Sequence, residues 1–284
     1  MRFVPQKDGL LVLAPAKLNL ALYVLERRSD GYHIIRTLMT PITLFDRLLF
    51  RFAAKDELVV EGIPSLRGER NTITRAISAF KQHFGAGVPP LFIRLEKRIP
   101  AGSGLGGGSS DAAATILALH HLLGVPQDAQ KDIACALDVG SDVPFFLRCQ
   151  PCWMGGIGDV FEKDVEIGHR AYTLVVPDFV CHTKSVYSAI QLTCTSVNGK
   201  IYNGLGDDVV MEEVFHNDLE DAAARVYPPI GDLIRVLHPL GFRMTGSGSA
   251  FFGPPRSDWL CHPPRFLTRA RIFLVETCAG VKWF

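Results

Sequence analysis

Between residues 100 and 111 the chain reads Pro100-Ala-Gly-Ser-Gly-Leu-Gly-Gly-Gly-Ser-Ser-Asp111, with five glycines in the seven positions from Gly102 to Gly108. Residues without a Cβ reach positive φ and let a ligand approach the backbone, so this stretch presents bare N–H groups. Ser109 to Leu123 is rich in Ala, Leu and Ile and is followed by Gly124, which predicts a helix starting directly after the glycines. The loop amides then join the unpaired amides of the first helical turn at the positive end of the helix dipole, with Ser109, Ser110 and Asp111 at or near the cap. The chemistry this favours is the holding of an anion, and a polyphosphate suits it.

Other glycine-rich nucleotide motifs fit less well. The Walker pattern fails because no lysine follows the last glycines. Gly102, Gly104 and Gly107 satisfy GxGxxG, but a dinucleotide site also asks for an acidic residue at a strand end about 20 positions on, and the region of Gly124 and Asp128 reads as a helix terminus and turn. A flexible linker is a poor alternative, since linkers are not followed at once by a long apolar helix. Cys149 and Cys152 form a CxxC, yet no second CxxC or HxxxH accompanies them, so they read as small buried hydrophobes.

The elements that must carry this loop follow from periodicity. Leu10 to Leu25 and Arg47 to Val60 read as strands, Asn71 to Phe84 as an amphipathic helix, and Leu91 to Leu95 as a short strand feeding the loop. Gln127 to Val139 reads as another helix. In Gly140-Ser-Asp-Val-Pro-Phe-Phe146, Pro144 argues against regular helix through Val143. The glycine-rich turn Gly155 to Gly158 suggests a hinge, giving an N-terminal domain of residues 1–156 and a C-terminal domain of 157–284. Beyond it, Ala171 to Pro177 and Ile272 to Glu276 read as strands, and Ser185 to Leu192, Asp218 to Val226 and Ile230 to Leu237 as helices. No repeat or low-complexity tract is visible, and the fold class is α+β.

Composition narrows the functions. At 284 residues and 48% hydrophobic content the chain can fill one large core or two smaller ones. Thirty basic and 29 acidic residues leave a net charge of +1, which gives no broad field for nucleic acid. Met1 to Gly9 lacks the apolar core of a signal peptide and no apolar run approaches the roughly 20 residues that span a bilayer, so a cytoplasmic protein without a membrane partner is expected. Seven cysteines, an odd count, fit reduced thiols.

Three segments together carry a resemblance: Pro15-Ala-Lys-Leu-Asn-Leu20, the glycine loop, and Met244-Thr-Gly-Ser-Gly-Ser-Ala250. In that order they resemble the signatures of the GHMP superfamily, the galactokinase, homoserine, mevalonate and phosphomevalonate kinases. Asp30-Gly-Tyr-His33, Gly140 to Phe146 and Asn217-Asp-Leu-Glu220 resemble most closely the branch that phosphorylates a cytidine-diphosphate-linked methylerythritol. The likeness runs from about Leu10 to Gly253; residues 254–284 carry no motif.

The resemblance implies a two-domain fold with ATP and substrate in a cleft between the domains, and Mg²⁺ travelling with ATP. It implies Asp142 as general base with Lys17 beside it. Nucleotide contacts are implied for Pro100, Gly102, Ser103, Gly104, Leu105, Gly106, Gly107, Gly108, Ser109 and Ser110, with Asn71 and Lys97 approaching the nucleotide. Substrate contacts fall to Asn19, to Tyr32, His33 and Tyr187 as a cytosine grip, and to Thr183, Gly246 and Ser247; no residue is assigned as a metal ligand. Asp111 departs from the asparagine expected there, and a carboxylate beside phosphate oxygens is repulsive unless Mg²⁺ intervenes or the side chain turns away. Two alternatives stand beside this reading: the same chemistry on mevalonate, homoserine or a sugar, and a nucleotide-binding module without catalysis.

Overall fold

The computed structural model describes residues 1–62, 71–85, 87–191, 215–278, 280 and 282–283. In chain order its elements are β1 (Arg2–Gln6), β2 (Gly9–Arg27), β3 (His33–Phe52), β4 (Glu57–Glu61), α1 (Thr72–Phe84), β5 (Leu91–Glu96), α2 (Gly107–Leu123), α3 (Ala129–Val139), α4 (Val143–Arg148), β6 (Cys152–Gly155) and β7 (Val160–Asp164). There follow β8 (Ala171–Pro177), α5 (Thr183–Ser188), β9 (His216–Asn217), α6 (Glu220–Val226), α7 (Pro228–Leu237), β10 (Arg243–Met244), β11 (Phe251–Gly253), β12 (Ala270–Glu276) and β13 (Lys282–Trp283).

Two sheets organise the chain. The first has the order β13-β1-β2-β3-β5-β4, with the β6–β7 hairpin attached to β3 and β9 attached to β2; the second is β10-β11-β8-β12, antiparallel throughout. Helices α1 to α4 cover the first sheet through a core that includes Phe50, Phe80, Ile93, Ile116 and Phe145. Leu18, Ile42, Trp153, Leu174 and Phe252 fill the space between the sheets, while Val175, Phe251, Ile230 and Leu237 join the second sheet to α6 and α7. Leu174 and Val176 point inward and Val175 outward, the period of two that places β8 between two cores.

One irregularity in β2 matters for the site. Leu10, Val12 and Ala14 belong to the helix-covered core, but Ala16, Leu18 and Leu20 belong to the core between the sheets. All six are even-numbered, so a regular strand would send them to one face. Between Pro15 and Ala16 the pairing partner on β3 jumps from Phe45 to Ile42, and this bulge reverses the alternation. β3 reverses with it: Leu48 and Phe50 face the helices, as does Met39, while Leu38 and Ile42 face the second sheet. Odd-numbered Lys17 and Asn19 are thereby turned to the helix side.

Several boundaries differ from expectation. Arg47 to Val60 is not one strand: Ala53 and Asp56 break it, Ala53 donating to the Pro90 carbonyl and Asp56 accepting from the Leu91 amide, and β4 pairs in parallel with β5 rather than continuing β3. Helix α4 does run through Val143, because Pro144 sits in its first turn, where no amide partner is required. Helix α7 likewise begins at Pro228, two residues before the expected start. Helix α5 covers Thr183–Ser188, and Leu192, the expected end, lies outside the described residues. The turn Gly155 to Gly158, read as a hinge, closes the hairpin of β6 and β7 and leaves β7 on the first sheet. Cys149 and Cys152 are buried and burial raises both thiols, Cys152 to about 12, so neither offers a thiolate near neutral pH. Among the described residues no helix is long and apolar enough to cross a membrane.

Candidate active site

Lys17 and Asp142 come together from distant parts of the chain. Lys17 lies mid-strand on β2 and is 4% exposed; its ammonium stands 3.7 Å from a carboxylate oxygen of Asp142, at the N-terminus of α4, whose side chain is 31% exposed. The ammonium also donates to Asn19 Oδ1. Burial holds Lys17 below the ordinary lysine range, and Asp142 opposes that shift without cancelling it. Asn19 is itself fixed: its amide group donates to Thr37 Oγ1 at 2.8 Å, and its backbone N–H donates to Thr245 Oγ1 at 2.8 Å.

The glycine loop wraps this pair. The Lys17 backbone N–H donates to the Leu105 carbonyl at 3.0 Å, so the strand that carries the lysine is tied to the loop. Gly106, at φ +70°, caps α2, and a Cβ there would lie 3.0 Å from Lys17 Cγ and from the Phe146 ring. At Gly104, φ +80°, a Cβ would lie 2.5 Å from the Thr245 carbonyl, so this glycine allows the loop to touch the third glycine segment. Ala250 donates to the Ser103 carbonyl at 3.1 Å and Ser103 Oγ donates to the Pro100 carbonyl at 2.7 Å, closing the loop on itself and on that second wall. A Cβ at Gly246 would come within 3.4 Å of the Lys17 ammonium, which puts both glycine segments beside one cation.

At the start of α2 the side chains divide. Ser110 is buried, with an Oγ that has no partner among the described residues. Asp111 turns away from the loop into the interior, where its Oδ2 accepts from Lys97 at 2.8 Å. Lys97 also donates to Asp46, which accepts further from the backbone amides of Arg98 at 2.6 Å and Ile99 at 2.8 Å. Two carboxyl groups therefore share one buried ammonium. Burial raises Asp111 to about 8, against the pull of Lys97, while Asp46 has its two amide donors. The Lys97 ammonium, expected to approach the nucleotide, lies between Asp46 and Asp111, and a Cβ at Gly107 would lie 2.9 Å from it. This arrangement resolves the asparagine-to-aspartate departure: Asp111 turns away. Asn71 caps α1 by accepting from the Ile73 amide at 2.8 Å, and the neighbouring Thr72 lies against Gly108.

Of the expected cytosine grip, two members meet. The rings of His33 and Tyr187 are 5.5 Å apart between centroids, tilted by 35°. Burial, together with Arg27, lowers His33 and keeps its imidazole neutral near pH 7, and its Nδ1 is buried with no partner among the described residues. Burial and the nearby Asp142 carboxylate raise the Tyr187 phenol, which places this ring within the electrostatic reach of the catalytic candidate. Tyr32 stands in solvent, 60% exposed, on the turn that joins β2 to β3. Thr183 and Ser247 share a hydroxyl–hydroxyl bond of 2.9 Å, bringing α5 to the third glycine segment. Thr37 and Thr245, which hold Asn19, have no role assigned from the sequence, although Thr245 lies within the third signature; both are buried, and only the fold reveals that they face an asparagine.

The residues from 71 to 150 match the family model for the GHMP kinases N terminal domain. A 4-diphosphocytidyl-2-C-methyl-D-erythritol kinase of Syntrophotalea carbinolica is 39% identical over 248 residues, covering 85% of this chain and 88% of the relative. A crystal structure of 4-(cytidine 5'-diphospho)-2C-methyl-D-erythritol kinase superposes with a TM-score of 0.73 at 33% identity, over 95% of this chain and all of that one. Homoserine kinase from Cytophaga hutchinsonii, at 17% identity and a TM-score of 0.67 over 97% of this chain and 96% of its own, shares the fold. Likeness of that depth over that much of both chains makes this protein a member of the GHMP kinase family, in its 4-diphosphocytidyl-2-C-methyl-D-erythritol kinase branch.

Proposed function

We propose that the protein transfers the γ-phosphoryl group of ATP to the 2-hydroxyl of 4-diphosphocytidyl-2-C-methyl-D-erythritol, with ATP held by Gly102 to Ser110 and the alcohol between β2, α5 and the third glycine segment. The observation that carries this is the buried Lys17 ammonium, 3.7 Å from Asp142 and bordered by both glycine segments. Phosphoryl transfer asks a protein chiefly for positioning and charge stabilisation. Asp142, open to solvent on one side, accepts the proton of the attacking hydroxyl. Lys17 steadies that carboxylate and stabilises charge on the nucleophile and the moving phosphoryl group. Asn19, locked by Thr37 and Thr245, orients the polyol beside them.

His33 presents a neutral imidazole, which can hydrogen-bond a base edge, and Tyr187 supplies a ring for stacking. Tyr32, exposed on the β2–β3 turn, is assigned the opposite face of the bound pyrimidine in this reading. Small alcohols such as mevalonate or homoserine have no use for this aromatic pair. Mg²⁺ arriving with the nucleotide would be held at the start of α2 by the partnerless Ser110 hydroxyl, and there it would neutralise polyphosphate charge. Among the described residues no three His, Cys, Asp or Glu side chains gather as a metal cluster. The test is a coupled ADP-release assay with the cytidyl alcohol beside mevalonate and homoserine. Preference for the cytidyl substrate is expected; faster turnover of either small alcohol would overturn the substrate assignment.

A further inference from the structure

The segment Asn217-Asp-Leu-Glu220 takes no part in the chemistry described so far, yet its polar side chains end on backbone groups of the site. Asn217 is 6% exposed, and its amide nitrogen donates to the carbonyls of Met244 and Gly246, each at 2.8 Å, while its Oδ1 accepts from the Leu219 amide at 2.9 Å. Glu220 Oε1 accepts from the Met244 amide at 2.7 Å. Asp218 turns the other way: its Oδ2 accepts from the Val24 amide at 2.7 Å, and its own N–H donates to the Leu22 carbonyl at 3.0 Å. Strand β9 completes the tie by pairing in parallel with β2 at Ala21 and Leu22. Residues 217–220 are thus bonded on one side to the strand that bears Lys17 and Asn19 and on the other to the segment that bears Thr245, Gly246 and Ser247, with the Asn217–Leu219 bond closing the turn between them.

Gly246 is the point at which this becomes chemical. A Cβ at Gly246 would lie 3.1 Å from Asn19 Oδ1 and 3.4 Å from the Lys17 ammonium, so the peptide whose carbonyl Asn217 holds is in contact with both side chains. Asn217 satisfies two carbonyl acceptors with one amide group, a task that neither aspartate nor a shorter residue can do. The segment's other bonds are Thr245 N–H to the Ala250 carbonyl at 2.9 Å and Gly248 N–H to the Thr245 carbonyl at 3.1 Å, which close the turn, Ala250 N–H to the Ser103 carbonyl at 3.1 Å, and Asn19 N–H to Thr245 Oγ1 at 2.8 Å, which ties Thr245 to β2 but leaves the Gly246 carbonyl to Asn217.

We infer that Asn217, backed by Glu220, is a positioning residue for phosphoryl transfer, a brace that sets the third glycine segment against Lys17 and Asn19. The inference rests on the function proposed above and adds to it a residue that touches neither nucleotide nor alcohol. A displacement near 1 Å at reacting groups costs up to about 100-fold in rate, so Asn217→Ala is expected to lower kcat by about 10- to 100-fold, with KM for ATP changed less than about threefold. Glu220→Ala should lower kcat in the same sense, and Glu220→Gln, which keeps the acceptor for Met244 N–H, should restore most of it.

Thermal melts and amide hydrogen exchange at residues 245–250 are measured beside the kinetics. Faster exchange in Asn217→Ala than in the wild type, with the remaining chain protected, supports the brace; unchanged exchange overturns it. A folded Asn217→Ala protein with kcat within threefold of wild type also overturns it, as does a rate loss no larger than the loss of folded protein. Where Asn217→Ala does not fold, the Glu220 pair decides: low rate in Ala with recovery in Gln supports the brace, and equal rates overturn it. A wild type that turns over none of the three alcohols would refute the function instead, and the exchange measurement still tests the brace.

Discussion

Replacing Asp142 by asparagine keeps the shape of the side chain and removes its capacity to take a proton. General-base catalysis contributes roughly 10²–10⁴-fold, so kcat should fall by that factor, or about 2.7–5.4 kcal/mol of barrier at 1.36 kcal/mol per decade. The structure adds a second consequence. At 3.7 Å two unit charges attract by roughly 4 kcal/mol at an effective dielectric of 20, less here because water reaches the 31% exposed Asp142. Burial already depresses Lys17, and Asp142 is what chiefly opposes it. Without that carboxylate the lysine is depressed further and loses its proton at lower pH than in the wild type. The residual rate of Asp142→Asn should therefore decline as pH rises, starting at lower pH than any alkaline decline of the wild type. Single-turnover kinetics with ATP and the cytidyl alcohol, run across pH 6 to 9 (about the working range of such assays), separate the two effects. Because the two residues act as one unit, Lys17→Ala combined with Asp142→Asn should cost far less than the product of the single losses. Retention of more than about a tenth of the wild-type rate with chemistry limiting, below the low end of the general-base range, would refute the role given to Asp142.

Gly106→Val places a branched side chain at φ +70° against Lys17 and Phe146, and calorimetry should show ATP binding abolished while circular dichroism shows the fold kept. Tyr187→Ala removes one stacking face worth about 1–3 kcal/mol, so KM for the cytidyl alcohol should rise roughly 5- to 150-fold with a smaller change in kcat. Asp111 is raised from 3.8 to about 8 in the fold, so it binds its proton more tightly folded than unfolded; its stabilising contribution is full below 3.8 and is lost as pH rises to about 8. Asp111→Asn removes that dependence, and the melting temperature of the variant relative to wild type should climb between these limits and then level off. A constant difference across that window would show that Asp111 does not titrate there.

The glycine loop and the helix after it were legible because their signal is local: five glycines, two serines and an apolar run fix a cradle without reference to the rest of the chain. Lys17, Asn19 and Asp142 could be singled out by motif, but not their meeting, which depends on contacts over 125 positions of sequence between Lys17 and Asp142. The fate of Lys97 was hidden for a similar reason. Its partner Asp46 is 51 residues away on β3, and no local pattern distinguishes a lysine facing a nucleotide from one enclosed between two carboxylates. Helix α4 was misjudged because a proline weighs against helix in the interior yet is well suited to a first turn, and only the boundary tells which applies. The strands were read from periodicity and apolar content; Pro15 marks a break in the ladder, but not that the break reverses the pleat.

That bulge makes the site sensitive to length more than to identity. Adding or removing one residue between Pro15 and Lys17 would shift the pleat by one and exchange the two faces of the segment. Lys17 and Asn19 would then enter the apolar space between the sheets, and Ala16, Leu18 and Leu20 would take their place beside Asp142 and the glycine loop. Apolar substitutions at 16, 18 and 20 that preserve volume are expected to keep activity, and single-residue insertions or deletions to abolish it. A library for altering this enzyme should therefore vary side chains in this stretch and keep its residue count fixed.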